Sequence, residues 1–294
     1  MSKFFEALER ADREQAPEMP AAPPAERPPA PPAELPPAAP PRLEPPVFDP
    51  PATATALDRS NRVEEHLVSL LAPTSFEAER YRMLRHVVET LRKSANLQVV
   101  AVTSPGVGDG KTTIAINLAG ALAQSADPRV LLVELDLRRP ALARQLGLGR
   151  ARPSLVDALV KPGLTLEETV EHLPRFNLSV LPAGETAAAP YELLRSPRLE
   201  ALLEEARRRY DYIVVDTPPF VPVPDCRLIA KWVDGFLVVV AAHRTPQSML
   251  AETLGLIDPA KTKGLVFNGD DARRSGYDSY QGVPAASSFK SPLR

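Results

Sequence analysis

The stretch VVAVTSPGVGDGKTT, from Val99 to Thr113, concentrates the residues best suited to chemistry. Gly106, Gly108 and Gly110 can turn a backbone tightly and aim successive N–H groups at one point, and Lys111 follows with a long cationic arm. Such a loop suits a polyphosphate. The amides of Gly106, Val107, Gly108, Asp109, Gly110, Lys111, Thr112 and Thr113 would surround phosphate oxygens, with Lys111 reaching the outer phosphates and the Thr112 hydroxyl ligating Mg²⁺. Pro105 stands where the usual phosphate-loop pattern has its first glycine. A glycine-rich turn that binds nothing is the bland alternative. The context opposes it, because a valine-rich run precedes the loop and the apolar-periodic run IAINLAGALA follows, giving strand, loop and helix in order.

Three carboxylates complete the candidate chemistry. Glu134 and Asp136 end the apolar run of RVLLVELDLRRP, and Asp216 ends that of DYIVVDTPP. In a strand, a spacing of two puts both side chains on one face, and strand ends in open parallel sheets are where ligands sit. Two unit charges 4 Å apart repel by about 4 kcal/mol at an effective dielectric of 20, so carboxylates can face a triphosphate only through a cation. Mg²⁺ is therefore implied. A lone strand-ending Asp is common by accident; beside an upstream phosphate loop it reads as the second metal-site acid.

The elements that position these residues alternate strand and helix, which predicts an α/β fold with a doubly wound, mostly parallel sheet and right-handed crossovers. Ser75 can cap a helix over EAERYRMLRHVVETLRK, on which Tyr81, Leu84, Val88 and Leu91 recur at helical spacing. Glu79, Arg82 and Arg85 lie three apart along it, a pattern that alone reads as a solvated face. The middle stretch SLVDALVKPGLTLEETVEHLP reads as two short helices, Phe176 to Leu181 as a strand, and PYELLRSPRLEALLEEARRRY as a helix broken by Pro197.

Sixteen of the 34 prolines fall between Pro17 and Pro51, too poor a stretch in large apolar residues to build a core. The expected organisation is a short amphipathic helix over 1–16 carrying Phe4, Phe5 and Leu8, a Pro/Ala-rich linker over 17–73, an ATP-binding domain over 74–269, and a flexible tail over 270–294. A net charge of −2 gives no general attraction to nucleic acid or anionic membrane. No apolar run approaches the ~20 residues of a membrane span, and the amino end lacks the apolar core of a secretory signal. One cysteine, Cys226, excludes an internal disulfide, and four scattered histidines offer no metal-ligand spacing. These features predict a cytoplasmic chain.

In this order the segments SPGVGDGKTT, VLLVELDLRRP, LPAGETAAAPYELLRSPRLEALLEEARRRYDYIVVDTPP, PDCRLIAKWVDGFLVVV and KGLVFNG resemble the bacterial tyrosine kinases of capsule and exopolysaccharide systems, a branch of the MinD/ParA-like phosphate-loop ATPases. The resemblance implies ATP with Mg²⁺ as cofactor. Lys111 and Thr112 would hold phosphates and metal, Asp136 and Asp216 would complete the metal site, and Glu134 would take the proton of the substrate tyrosine. It implies a subunit-contact role for Glu79, Arg82 and Arg85 in a homo-oligomer. It also implies Tyr277 and Tyr280 as autophosphorylation sites presented to a neighbouring subunit, and a membrane chain-length regulator as activating partner that recruits the chain to the inner face of the membrane. Members usually carry Asp where this chain has Glu134, and a cluster of tail tyrosines where it has two. These departures motivate two alternatives, an ATPase switch and a nucleotide-bound scaffold without tyrosine kinase activity.

Overall fold

The computed structural model describes residues 63–269 apart from 126, 150 and 151; the expected 1–16 helix, most of the proline-rich stretch and the tail with Tyr277 and Tyr280 lie outside these residues. The helices are α1 (Val68–Leu71), α2 (Phe76–Ala95), α3 (Lys111–Ala123), α4 (Leu142–Gln145), α5 (Leu155–Val160), α6 (Leu166–Thr169), α7 (Pro190–Leu194), α8 (Pro197–Arg209), α9 (Asp225–Ile229) and α10 (Gln247–Leu256). The strands are β1 (Val99–Thr103), β2 (Val130–Glu134), β3 (Glu171–Leu173), β4 (Leu178–Leu181), β5 (Tyr212–Asp216), β6 (Gly235–Ala241) and β7 (Thr262–Asn268). They form one sheet in the order β3-β4-β2-β5-β1-β6-β7. Every pairing is parallel except β3 with β4.

The central strands are buried at every position and apolar up to the last residue of β1, β2 and β5, as a helix-covered parallel sheet requires. Alternation sorts the side chains. Val99, Ala101, Leu131, Val133, Ile213 and Val215 face one layer, into which α5 to α9 send Leu155, Leu166, Leu194, Leu202 and Ile229. Val100, Val102, Val130, Leu132 and Val214 face the other, filled by Leu67, Leu70, Val88, Ile116 and Leu122 from α1, α2 and α3 and the turn before α1. At the carboxyl ends β5 lies between β1 and β2, so the phosphate loop, Glu134 and Asp216 converge.

Several expectations are corrected. The linker expected to reach residue 73 ends earlier: Leu67 is fully buried, the Glu64 amide donates to the Gln145 carbonyl at 3.0 Å, and Asn117 of α3 accepts the Ser69 amide at 2.9 Å. The α1–α3 contact is so close that a Cβ at Gly120 would stand 2.7 Å from a Leu70 methyl. The middle stretch gives the two short helices, α5 and α6, each closed by a capping box, and then an unexpected strand, β3. The strand expected from Phe176 starts at Leu178, after a 3₁₀ turn and Asn177 at φ 50°. Pro197 starts a new helix that Ser196 caps, so the broken helix is two, α7 and α8.

Burial of Leu67 makes the 63–73 segment part of the domain's stability. Leu67→Ala should cost about 2–5 kcal/mol, read as a lower urea midpoint with an unchanged m-value.

Candidate active site

The loop after β1 is shaped from within and braced from outside. Asp109 accepts the Gly106 amide on Oδ2 at 2.9 Å and the Thr245 hydroxyl on Oδ1 at 3.0 Å, while its carbonyl accepts from Asn268 Nδ2 at 2.9 Å. Arg244 donates to the Gly108 carbonyl. Gly110 caps α3 at φ 95°, and a Cβ there would lie 2.1 Å from Asn268 Nδ2, so glycine is demanded both by conformation and by space. The loop thus presents the amino end of a thirteen-residue helix with its first N–H groups free of side-chain caps, a cradle for phosphate.

Lys111 and Thr112, the first residues of α3, point at the acids. Lys111 Nζ lies 3.0 Å from Asp136 Oδ2, and the Thr112 hydroxyl donates to Asp216 Oδ2 at 2.8 Å. Burial alone would lower the lysine's pKa, but the Asp216 and Asp136 carboxylates outweigh it and hold the value above its ordinary range. Asp216 is pushed up to about 7, chiefly by burial, with Lys111 opposing and the Glu134 and Asp136 charges adding. Its Oδ1 is buried with no hydrogen-bond partner. An orphaned carboxylate oxygen beside a threonine hydroxyl fits Mg²⁺, which takes few protein oxygens and fills its shell with phosphate and water. Among the described residues no group of three or more His, Cys, Asp or Glu side chains is placed to hold a metal ion.

The two acids of the second strand do not share a task. β2 ends at Glu134, whose carboxylate is fully buried and accepts the amides of Ala141, Leu142 and Ala183 at 2.5, 2.8 and 2.9 Å. Asp136 lies beyond the strand and pairs with Lys111, its Oδ1 taking the Arg139 amide at 3.0 Å. On α2 the three charged residues have partners within the chain. Glu79 pairs with Arg82 at 2.7 Å, and Arg85 reaches Glu89, the Ala121 carbonyl and the Ser125 hydroxyl.

Sequence reasoning missed the braces. Asp225, wholly buried, holds Arg138 through two bonds of 2.7 and 2.9 Å, and Thr245 and Asn268 grip Asp109 across a separation that no local pattern spans. The one available signal was an Asn at the end of an apolar strand, in KGLVFNG.

An AAA domain model matches residues 97–244, half of the chain. The tyrosine-protein kinase YwqD of Bacillus subtilis is 30% identical over 228 residues, which cover 77% of this chain and 95% of that one. The chain belongs to the bacterial tyrosine kinase family. The kinase domain of the Escherichia coli tyrosine kinase ETK superposes with a TM-score of 0.64 at 25% identity, covering 69% of this chain and 79% of that one. The succinoglycan biosynthesis transport protein ExoP of Rhizobium meliloti is 32% identical over 224 residues, 72% of this chain but 27% of that protein's length. The relatives thus include a tyrosine-protein kinase and a succinoglycan biosynthesis transport protein. No described helix is long and apolar enough to cross a membrane.

Two measurements test this geometry. Gly110→Ala should weaken ADP binding by calorimetry at least tenfold and also lower the Tm, because the added methyl meets Asn268 in a backbone conformation that alanine resists. In the metal-free protein, a carboxyl whose folded pKa is raised gives its full stabilisation below the unfolded value of ~3.9 and loses it as pH rises through the folded one. With Asp216 at about 7, the Tm of Asp216→Asn relative to the native chain should therefore climb from about pH 5 to pH 7.5, measured by thermal unfolding in chelator.

Proposed function

We propose that the chain is an ATP–Mg²⁺ protein-tyrosine autokinase regulating exopolysaccharide or capsule assembly, with Tyr277 and Tyr280 of its own tail as acceptors, presented in trans within a homo-oligomer. The observation that carries the reading is the convergence of Lys111, Thr112, Asp136 and Asp216 at the mouth of an amide-lined loop. Magnesium, held by Thr112, Asp136 and Asp216, would neutralise the charge that builds on the transferring phosphoryl group. Lys111 holds the outer phosphates. The phenolic oxygen attacks the γ-phosphorus, the bond to the ADP oxygen breaks, and the phenolic proton passes to a carboxylate of the second-strand motif, Glu134 or Asp136. Positioning and charge neutralisation supply most of the catalysis in such a transfer.

Support for an oligomer comes from α2. Met83 and Val87, one turn apart on the helix that carries Glu79, Arg82 and Arg85, are 61% and 46% exposed, a small apolar strip suited to a second copy. The likeness to a named succinoglycan transport protein supports a membrane chain-length regulator as the activating partner and recruitment to the membrane's inner face. A second reading, an ATPase switch that never phosphorylates tyrosine, is favoured by one observation: the Glu134 carboxylate is already fully engaged by backbone amides.

Incubating the purified full chain with ATP and Mg²⁺ and mapping phosphotyrosine by mass spectrometry separates the readings. The kinase reading expects signal at Tyr277 or Tyr280 that disappears in Lys111→Ala and whose initial rate per protomer rises with protein concentration. ATP turnover without phosphotyrosine selects the switch.

A further inference from the structure

We infer that Asp225 is a positioning residue: through Arg138 it aims Asp136 at the metal site. The inference rests on the reading in which Thr112, Asp136 and Asp216 hold Mg²⁺.

Asp225 opens α9 and is wholly buried, yet both of its oxygens bind a side chain from another loop. Arg138 Nε donates to Oδ2 at 2.7 Å and Nη2 to Oδ1 at 2.9 Å, while the arginine side chain as a whole is 38% exposed. A buried ion pair is a poor source of stability, because the cost of dehydrating the charges offsets much of their attraction. What two bonds along one edge of a planar guanidinium do supply is a fixed orientation. A lysine, a point charge on a flexible stem, would not supply it.

The anchor is tied to the strand that leads into the phosphate loop, not to the loop it holds. Cys226, the next residue, donates its thiol to the Pro218 carbonyl at 3.0 Å and lies 3.6 Å from the Thr103 hydroxyl at the end of β1. The Thr217 and Phe220 amides donate to the carbonyls of Val102 and Ser104 at 3.2 and 2.8 Å. Arg138 carries this fixed point across to the loop after β2. Its carbonyl carbon shares a peptide unit with the Arg139 amide, which donates to Asp136 Oδ1 at 3.0 Å. The contacts therefore run from Asp225 to Arg138, to the Arg139 N–H, to one oxygen of Asp136, and leave Oδ2 facing Lys111 at 3.0 Å. Two other ties, from the Leu135 amide to the Asp216 carbonyl and from the Ala187 amide to the Leu137 carbonyl, fix the backbone on either side of Asp136 but touch neither of its oxygens. Mg²⁺ demands near-octahedral geometry at about 2.0–2.1 Å, so a carboxylate that serves it, directly or through water, must be aimed.

Calorimetry of ADP binding to the full chain, with Mg²⁺ and in chelator, tests this on two variants. Arg138→Lys keeps the positive charge without the two-bond edge, and Asp225→Asn keeps the shape and one acceptor oxygen. In both, the factor by which Mg²⁺ tightens ADP binding should fall about tenfold, the low end for losing a partner that orients a metal-site group, while affinity in chelator stays within about threefold of native. Amide hydrogen exchange at Arg139 should quicken alongside. Native tightening in either variant overturns the inference: in Arg138→Lys it would show that charge suffices without orientation, in Asp225→Asn that the anchor is dispensable. An equal loss of affinity with and without the metal overturns it as well, since a merely structural pair would produce that. If Asp225→Asn fails to fold, Arg138→Lys, which leaves the buried carboxylate a cation, decides alone. Should Mg²⁺ not tighten ADP binding in the native chain, the metal reading itself fails and the inference falls with it.

Discussion

Parallel pairing of β2 with β5 sets Glu134 directly opposite Asp216, and strands in register lie only about 4.8 Å apart. Two buried carboxyl groups on paired residues of neighbouring strands cannot both remain charged without compensation. The local structure answers this constraint in three ways. Glu134 accepts three backbone amides, although burial still holds its carboxyl above the ordinary range; Asp136 faces the ammonium of Lys111; and Asp216 takes the Thr112 hydroxyl and holds its proton to about 7. The phosphate loop therefore does more than cradle a ligand, since its first helical turn supplies the counter-charges that let three acids end in one crevice.

This arrangement also explains why the site is partly self-paired. Lys111 and Asp136 satisfy each other, yet Asp216 Oδ1 has no partner. A metal-bound nucleotide would supply a cation for that oxygen and anionic oxygens for the lysine, and would thereby offset part of the cost of burying the acids.

Much of this was legible in sequence because it depends on short-range pattern. Strand, glycine loop and helix are contiguous, and a run of four apolar residues ending in Asp216 announces a buried strand with its tip at a ligand. What escaped depends on distant partners. The amides that occupy Glu134 come from residues 7, 8 and 49 positions away, so nothing local separated a free acid from a fastened one. The segment HLVSLL was too short for periodicity to register, and its burial is visible only against Asn117 and Gly120 of α3. β3 is three residues long and pairs antiparallel at the sheet edge, where local propensity says little. Arg85 likewise belongs to a spaced charge motif, yet its guanidinium binds the carboxyl end of α3, so its contribution is intramolecular as the fold stands.

The bond from Asn268 to Asp109 reaches beyond the shape of one loop. Asn268 closes β7, and with Thr245 it lies outside the 97–244 segment that the AAA domain model spans. The bracing of the loop therefore extends past that segment. Trimming the chain before Asn268 would remove one brace of the loop while leaving residues 105–113 intact. The same bond fixes the carboxyl end of β7 against the Asp109 carbonyl, so the last strand of the sheet and the glycine loop are held as one piece.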